Sequence, residues 1–233
     1  MGGRAENPYG MDPSRPEDYR GMDLDVIRRR WDAKARRWDA DLADEHCHLN
    51  EDGAYERFLA VADAVVAERV EFCRRHLLVD LGCGTAAVLA RFVGQFAEGL
   101  GIDISRQMLA VAGEKHLPRC RLQEGNGFEL GRFVPAGSAG AVMSRGILLS
   151  HFGPQWAEVL CRQIHRALAP GGFALLDFLN ADARQSFDSN PDNKAYYSPS
   201  AVESLARQAG LGAVGILGEP AHRVRMVLLE QAP

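Results

Sequence analysis

The stretch from Val79 to Leu89 constrains the fold of this chain more than any other part of the sequence. It combines an apolar strand pattern that contains Asp80, a turn with Gly82 and Gly84, and a short helix pattern. Nineteen residues after Gly84, a second apolar strand pattern ends at Asp103. A strand, a glycine turn, a helix and a second strand in this order predict parallel strands, with a ligand bound beyond their carboxyl ends.

Asp80 indicates which type of ligand the glycine turn accepts. Gly82, Gly84 and Ala87 also fit the dinucleotide-binding pattern G-x-G-x-x-G/A, in which a pyrophosphate sits at the helix N-terminus. A carboxylate two residues before the first glycine repels such a group. S-adenosylmethionine (SAM) carries an ammonium and a sulfonium instead, and both favour nearby negative charge. The turn therefore favours SAM, while a nicotinamide-dependent oxidoreductase stays the alternative that the glycines alone allow.

Three further segments follow the glycine motif at Val79–Ala86 in a fixed order, namely Leu100–Asp103, Gly125–Gly127 and Leu168–Phe178. With this order and spacing, the chain resembles the SAM-dependent methyltransferases with the Rossmann-like, seven-stranded fold, also called class I. The resemblance implies SAM as cofactor and S-adenosylhomocysteine (SAH) as product. It also implies that Asp103 binds the ribose and that Asn126 reads the adenine amino group. Ala86 replaces the third glycine of the family motif, and Asn126 replaces an acid.

Twelve residues are predicted to bind the cofactor, on the basis of the strand ends and of the resemblance. Arg145 follows the fourth predicted strand, and its planar guanidinium suits the SAM carboxylate, an acidic substrate or an ordinary surface position. Trp38 matches the aromatic residue that similar enzymes place over the cofactor, although its spacing from Trp31 is also typical of core packing. The twelve are Trp38, Asp80, Gly82, Cys83, Gly84, Asp103, Ile104, Met108, Asn126, Gly127, Ser144 and Arg145.

The resemblance implies that His151 is the catalytic base and a substrate contact, because a histidine after the fourth strand reaches the acceptor in several similar small-molecule methyltransferases. It lies just past the fourth strand, and imidazole titrates close to neutral pH, although a packing role is the alternative for a histidine in an apolar stretch. Four tyrosines in irregular segments are predicted either to close over the substrate or to be ordinary loop residues. They are Tyr9, Tyr19, Tyr196 and Tyr197. No metal is predicted, because the adjacent residues His46, Cys47 and His48 lack the spacing of zinc ligands.

The composition limits which binding partners and which cellular compartment we expect for this protein. A net charge of −4 and the acidic residues around Arg28–Arg30 argue against a nucleic-acid partner. No apolar stretch approaches about 20 residues, so no membrane span is predicted. The five cysteines are not spaced as in a disulfide framework, and the polar N-terminus shows no signal peptide. We therefore expect a cytoplasmic protein with reduced thiols. The oligomeric state stays open, with a homodimer as one expectation.

The pattern along the 233 residues predicts a single α/β domain over residues 1–233. It has a flexible arm at 1–22, a helical cap at 23–75 and a Rossmann-like core at 76–233. The cap is predicted to form one helix from Asp23 to about Leu42 and another from Ala54 to about Arg75. The core strands are expected near 77–81, 99–103, 119–123, 139–144 and 172–178, with helices near 86–96, 105–113, 154–168 and 199–210. Apolar runs at 212–217 and 222–230 predict a C-terminal hairpin that adds one antiparallel strand, giving a mostly parallel sheet of seven strands.

The predicted function is transfer of a methyl group from SAM to an oxygen or nitrogen of a small-molecule acceptor. The cap, the compact length and the aromatic arm resemble tailoring methyltransferases of natural-product or amino-sugar pathways. Three alternatives stay open: an NAD(P)-dependent oxidoreductase, an RNA or protein methyltransferase, and a SAM-binding module without catalytic activity.

Overall fold

A computed structural model describes residues 24–43, 53–146, 148–151, 153–186 and 195–231. The predicted arm at 1–22, with Tyr9 and Tyr19, and the run 46–48 lie outside these residues. Of the four tyrosines, Tyr196 and Tyr197 lie within the described residues.

The described residues contain a seven-stranded sheet in the order β3-β2-β1-β4-β5-β7-β6. Strand β7 runs antiparallel to both of its neighbours, and the other neighbouring pairs are parallel. The predicted fold class, with its C-terminal hairpin, is confirmed. The strands are β1 Leu77–Leu81, β2 Glu98–Asp103, β3 Cys120–Glu124, β4 Ala139–Ser144, β5 Leu168–Leu179, β6 Leu211–Leu217 and β7 Val224–Gln231.

Helices cover both faces of the sheet and form its connections. The α-helices are α1 Leu24–Asp32, α2 Trp38–Ala43, α3 Ala54–Glu68, α4 Val70–Cys73, α5 Ala87–Phe92, α6 Arg106–Glu114, α7 Leu130–Phe133, α8 Pro154–Ala167 and α9 Pro199–Gln208. Short 3-10 turns lie at Ala35–Arg37, Val93–Gln95, Gly127–Glu129, Leu148–His151 and Ala181–Ser186. The sequence pattern did not predict α7, which is only four residues long and too short for a helical period to be visible.

The core lies on both faces of the central strands, because side chains of a strand alternate between the two faces. All residues of β1 and β4 are buried, as expected for parallel strands that are covered on both sides. On one face, Val79 and Leu81 pack with α8 and α9. On the other face, Leu78 packs with α3, α5 and α6. Asp80 belongs to this second face, and its burial is therefore dictated by the period of the strand.

The N-terminal cap is broken where continuous helices were predicted. The helix predicted over 23–42 ends at Asp32, and the turn at Ala35–Arg37, whose Ala35 is buried, packs against α6. On one continuous helix, Trp31 and Trp38 would be about 10 Å apart along the axis. The break brings their ring centroids to 5.4 Å in a T-shaped contact. The prediction of one helix over 54–75 is also wrong, because Arg69 leaves helical geometry with φ −118° and ψ 19° between α3 and α4.

The strand order reverses between β1 and β4, and this reversal positions the site. From β1 the chain proceeds outward to β2 and β3, then returns to β4 on the opposite side. The connections after β1 and β4 therefore diverge and leave a crevice at the carboxyl ends of these two strands. In open α/β sheets, ligands bind in this crevice.

Candidate active site

The glycine turn after β1 crosses the carboxyl end of β2. Backbone N–H groups of Gly82 and Cys83 donate to the carbonyl oxygen of Ile102, at 2.8 and 3.0 Å. Gly84 has φ +51°, and a Cβ at this position would lie 3.3 Å from Nε1 of Trp38. A glycine is therefore needed here both for the left-handed backbone and for the close approach of the cap.

Asp103 at the end of β2 organises the two loops beside it. Its Oδ2 accepts from the backbone N–H of Gly84 and its Oδ1 from that of Ser105, each at 2.8 Å. Ser105 begins α6 as its N-cap, because its Oγ accepts from the Met108 N–H at 3.1 Å. Burial raises the pKa of Asp103, against the opposing effect of these backbone hydrogen bonds. The carboxylate oxygens keep further lone pairs with which they can accept bonds from a ligand.

Asp80 lies beneath the glycine turn with only 2% of its surface exposed. Its Oδ2 is buried and accepts no hydrogen bond from the described residues. Burial raises the pKa of Asp80 to about 7, a backbone hydrogen bond from Leu89 opposes this rise, and the nearby charge of Asp103 adds to it. A buried carboxylate oxygen without a donor is costly. It fits a cationic ligand group in the adjoining space, and it does not fit a phosphate.

Two aspartates of the N-terminal cap attach it to the loops around Asp103. Asp32 accepts from Ser105 Oγ at 2.5 Å and from the backbone N–H of Gln107 at 3.1 Å. Asp39 accepts from the hydroxyl of Thr85 in the glycine turn and also pairs with Lys115 at 3.0 Å. These contacts bring the indole rings of the cap over the crevice.

The opposite wall is built by the segment after β4. Ser144 donates from Oγ to the carbonyl oxygen of Leu81, at 2.6 Å, and so joins the ends of β4 and β1. The guanidinium carbon of Arg145 lies 4.7 Å from the ring centroid of Tyr55, the second residue of α3. The ring of His151 lies 5.7 Å from that of Trp31, and its Nε2 is 3.3 Å from the carbonyl oxygen of Gly146. A cation and an imidazole thus stand on the same wall.

These parts enclose one cleft of about 1190 Å³, its open mouth included. Its lining contains all twelve residues that the sequence assigned to the cofactor, and also His151. The structure brings these residues together, while their individual roles stay predictions. Tyr196 and Tyr197 are not among the lining residues. Tyr197 is a buried core residue rather than a loop residue, and burial raises the pKa of its phenol.

Sequence reasoning missed several residues at this site. Trp31, weighed only as a packing residue, lines the cleft, and so do Tyr55 and Thr85. Tyr55 gave no signal, because it reaches the cleft only through the way α3 docks on the sheet. Asp177 did give one, since it is an acid in the otherwise apolar run 173–179, and its carboxylate accepts from the N–H of Gly146.

The described part of the chain has no helix long and apolar enough to cross a membrane. Among the same residues, no group of three histidine, cysteine, aspartate or glutamate side chains is arranged to hold a metal ion.

A comparison with protein families agrees with this geometry. Residues 78–172, from β1 into β5, match a family model described as "Methyltransferase domain". Residues 78–172 are thus similar to methyltransferase domains. The strand order confirms the Rossmann-like fold that the sequence motifs predicted for such a domain.

Individual relatives are more distant. The chain is 32% identical over 152 residues to malonyl-[acyl-carrier protein] O-methyltransferase of Dechloromonas aromatica. The aligned region covers 60% of this chain and 53% of that protein. It is 36% identical over 97 residues to trans-aconitate 2-methyltransferase of Deinococcus radiodurans, covering 41% of this chain and 34% of that one. The chain thus spans about half and about a third of these curated relatives.

Among solved structures, magnesium protoporphyrin IX methyltransferase of Synechocystis PCC 6803 with bound SAH superposes with a TM-score of 0.67. The superposition covers 90% of this chain and 100% of that chain, at 15% identity. At this identity the similarity establishes a common fold.

Proposed function

We propose that this protein transfers a methyl group from SAM to an oxygen or nitrogen of a small-molecule acceptor. The observation that carries the proposal is Asp80, which lines the cleft and whose buried Oδ2 has no donor among the described residues. A carboxylate in this position attracts an ammonium or sulfonium ligand and repels a pyrophosphate. The same argument disfavours the nicotinamide-dependent alternative.

The cofactor half of the cleft holds SAM through charge and shape. Asp80 faces the cationic amino-acid end, and Asp103 accepts from the ribose hydroxyls, with lone pairs left by its two backbone donors. Asn126 lies in the wall on the far side of Asp103, where the adenine would be read. Trp38 covers the turn at Gly84. When bound, SAM supplies an electrophilic methyl group on a sulfonium centre.

The acceptor half has a cation, a base and aromatic walls. Trp31 and Tyr55 exclude water from the cleft and offer flat apolar surfaces to an organic acceptor. Holding the acceptor in line with the methyl group supplies much of the acceleration, because effective molarity is worth about 7–11 kcal/mol. His151 accepts the proton when the attacking atom carries one, a contribution of about 10²–10⁴-fold.

Arg145 leads us to propose an acceptor that bears an acidic group. Its planar guanidinium is suited to a carboxylate, and its central carbon lies 4.7 Å from the ring centroid of Tyr55. Two relatives support this choice, because one is named for a malonyl group and the other for trans-aconitate, and both of these are carboxylic acids. A natural-product or amino-sugar acceptor, as the cap suggests, stays within this class if it carries such an acid. A cytoplasmic location and action without nucleic acid complete the proposal.

Calorimetric titration with SAH and with NAD tests the cofactor. Binding of SAH in the micromolar range without binding of NAD supports the proposal, and the reverse result rejects it. Incubation with methyl-labelled SAM and cell extract, followed by size fractionation, then tests the acceptor. Label in the small-molecule fraction is expected. Label in RNA or protein would replace the small-molecule assignment, and SAH binding without any transfer would indicate a non-catalytic module.

A further inference from the structure

The segment after β4 forms the wall of the cleft that carries Arg145 and His151, here called the acceptor wall. Asp177 holds the backbone of this segment, although it does not line the cleft itself. It lies near the end of β5, with 4% of its surface exposed. Both of its carboxylate oxygens accept from the backbone N–H of Gly146, at 3.1 and 3.0 Å. A hydrogen bond to a buried charged group is roughly twice as strong as one between neutral groups. Asp177 of β5 therefore holds Gly146, in the segment after β4, through a strong hydrogen bond.

Gly146 in turn contacts the imidazole of His151. Its carbonyl oxygen is 3.3 Å from Nε2 of the imidazole, and a carbonyl oxygen can only accept. A hydrogen bond in this contact therefore requires the tautomer with the proton on Nε2. Gly146 has φ +130°, a conformation that residues with a side chain rarely adopt. The peptide that joins Asp177 to His151 is thus held in one unusual geometry.

Ser150 provides a second connection from the same strand. The backbone N–H of Leu179, two residues after Asp177, donates to Ser150 Oγ at 2.8 Å. Ser150 is fully buried and immediately precedes His151, and its carbonyl oxygen accepts from the Ala195 N–H at 2.8 Å. The turn Leu148–His151 is therefore held by β5 through the Oγ of Ser150 and by Ala195 through the carbonyl oxygen of Ser150.

We propose that Asp177 and Ser150 are positioning residues that fix the orientation and the tautomer of His151. They act through Gly146 and through the turn, and neither touches the cleft. The catalytic meaning of this arrangement rests on the proposed function, because His151 is assigned there as the base. The tautomer itself is a property of the ligand-free protein, so it can be measured whether or not the acceptor is known.

The test compares Asp177→Asn, Asp177→Leu and Ser150→Ala with the unchanged protein. The histidines are labelled with nitrogen-15, and the ring resonances of His151 are assigned by their loss in His151→Gln. At a pH where the ring is neutral, we expect the Nε2–H form in the unchanged protein and in Asp177→Asn, because the amide oxygen still accepts from Gly146. Asp177→Leu and Ser150→Ala are expected to give a mixture of both tautomers.

Exchange of the Gly146 amide gives a second readout. It is expected to accelerate by at least about tenfold in Asp177→Leu, because local opening no longer breaks a bond to a buried carboxylate, and to stay slow in Asp177→Asn. Ser198→Ala is the control, since it removes a comparable serine hydrogen bond, to the Ala201 N–H, at the start of α9. This control should leave the tautomer and the exchange rate unchanged.

The outcomes separate this proposal from the proposed function. If Asp177→Leu and Ser150→Ala remain folded and both keep a pure Nε2–H form, and if exchange at Gly146 stays slow in Asp177→Leu, the proposal is overturned. If Asp177→Leu does not fold, the tautomer of His151 in Ser150→Ala alone decides, and a pure Nε2–H form there overturns the proposal. SAH titrations of the same proteins report on the proposed function, and a failure of the unchanged protein to bind SAH would reject that function while leaving the tautomer result in force.

Discussion

Asp80 is expected to make cofactor binding depend on pH near neutrality. Its pKa is raised by burial to about 7, and only its ionised form pairs with a cationic ligand. The apparent Kd equals the intrinsic Kd divided by the fraction of binding-competent protein. At pH 6 about one carboxyl in ten is ionised, so the Kd for SAH should rise about tenfold from its value at alkaline pH. At pH 5.5 the rise should be about thirtyfold.

The same group has the opposite effect on the stability of the ligand-free protein. Its folded pKa lies above the unfolded value of 3.8, so the folded state binds the proton more tightly. The stabilisation is fully present below the unfolded pKa and is lost as the pH rises from about 4 to about 7. A difference of about three pKa units corresponds to about 4 kcal/mol. Asp80→Asn should therefore stabilise the ligand-free protein at pH 8 and change it little at pH 4.

Calorimetric titration of SAH between pH 5.5 and 8 measures the first effect, and denaturant unfolding at the two extremes measures the second. The Asn variant is the matched control, because any titration of SAH itself affects both proteins equally. We expect Asp80→Asn to bind SAH more weakly than the unchanged protein at pH 8. Below pH 7, the Kd of this variant should not show the rise that protonation of Asp80 causes in the unchanged protein. A Kd in the unchanged protein that varies less than about twofold over this range would refute the reasoning, since the ionised fraction must vary far more.

Three further substitutions test other parts of the site. Asp103→Ala should raise the Kd for SAH by at least about tenfold, because each charge-assisted hydrogen bond to the ribose contributes about 1.5–3 kcal/mol; an unchanged Kd in calorimetry would contradict the ribose assignment. Gly84→Ala should lower both the unfolding temperature and SAH affinity, since φ is +51° and the new Cβ would approach Nε1 of Trp38 to 3.3 Å; thermal unfolding and titration measure both, and Gly137→Ala, with φ +70° on an exposed turn away from the cleft, is the control. His151→Ala should lower turnover by about 10²–10⁴-fold while SAH affinity changes little. Turnover that is unaffected from pH 6 to pH 9 in a labelled-methyl assay would exclude His151 as the base.

Much of the fold could be predicted because it depends on local patterns. The bounds of β1 and β4 were predicted to the residue, since buried parallel strands are continuous apolar runs between turn signals. The apolar strand patterns before and after the glycine turn also allowed Asp80 and Asp103 to be placed near the ends of neighbouring strands. The helix break at Ala35–Arg37 could not be predicted, because it comes from docking on α6, and the local sequence keeps a helical period through the break.

In the acceptor wall, some residues could likewise be predicted from the sequence, and others could not. Arg145 was identified from its place after the fourth strand, which is a property of sequence order, and His151 from that place together with the family resemblance. Tyr55 and Asp177 were not, because one comes from a helix far earlier in the chain and the other acts through the peptide of Gly146. Tyr197 looked like a loop residue in its local sequence, but a backbone pairing with the end of β5 draws it into the core.

The sequence alone thus determined the order of strands and helices, the glycine turn and the acids at its edge, since each of these is specified by residues close together in the chain. Only the tertiary structure decided that Asp80 has a buried oxygen without a donor, that the cap closes over Gly84, and that β5 fastens the turn carrying His151. These features depend on contacts between residues some 30 to 70 positions apart. Such contacts are set by how whole elements pack against one another, and no local pattern encodes them.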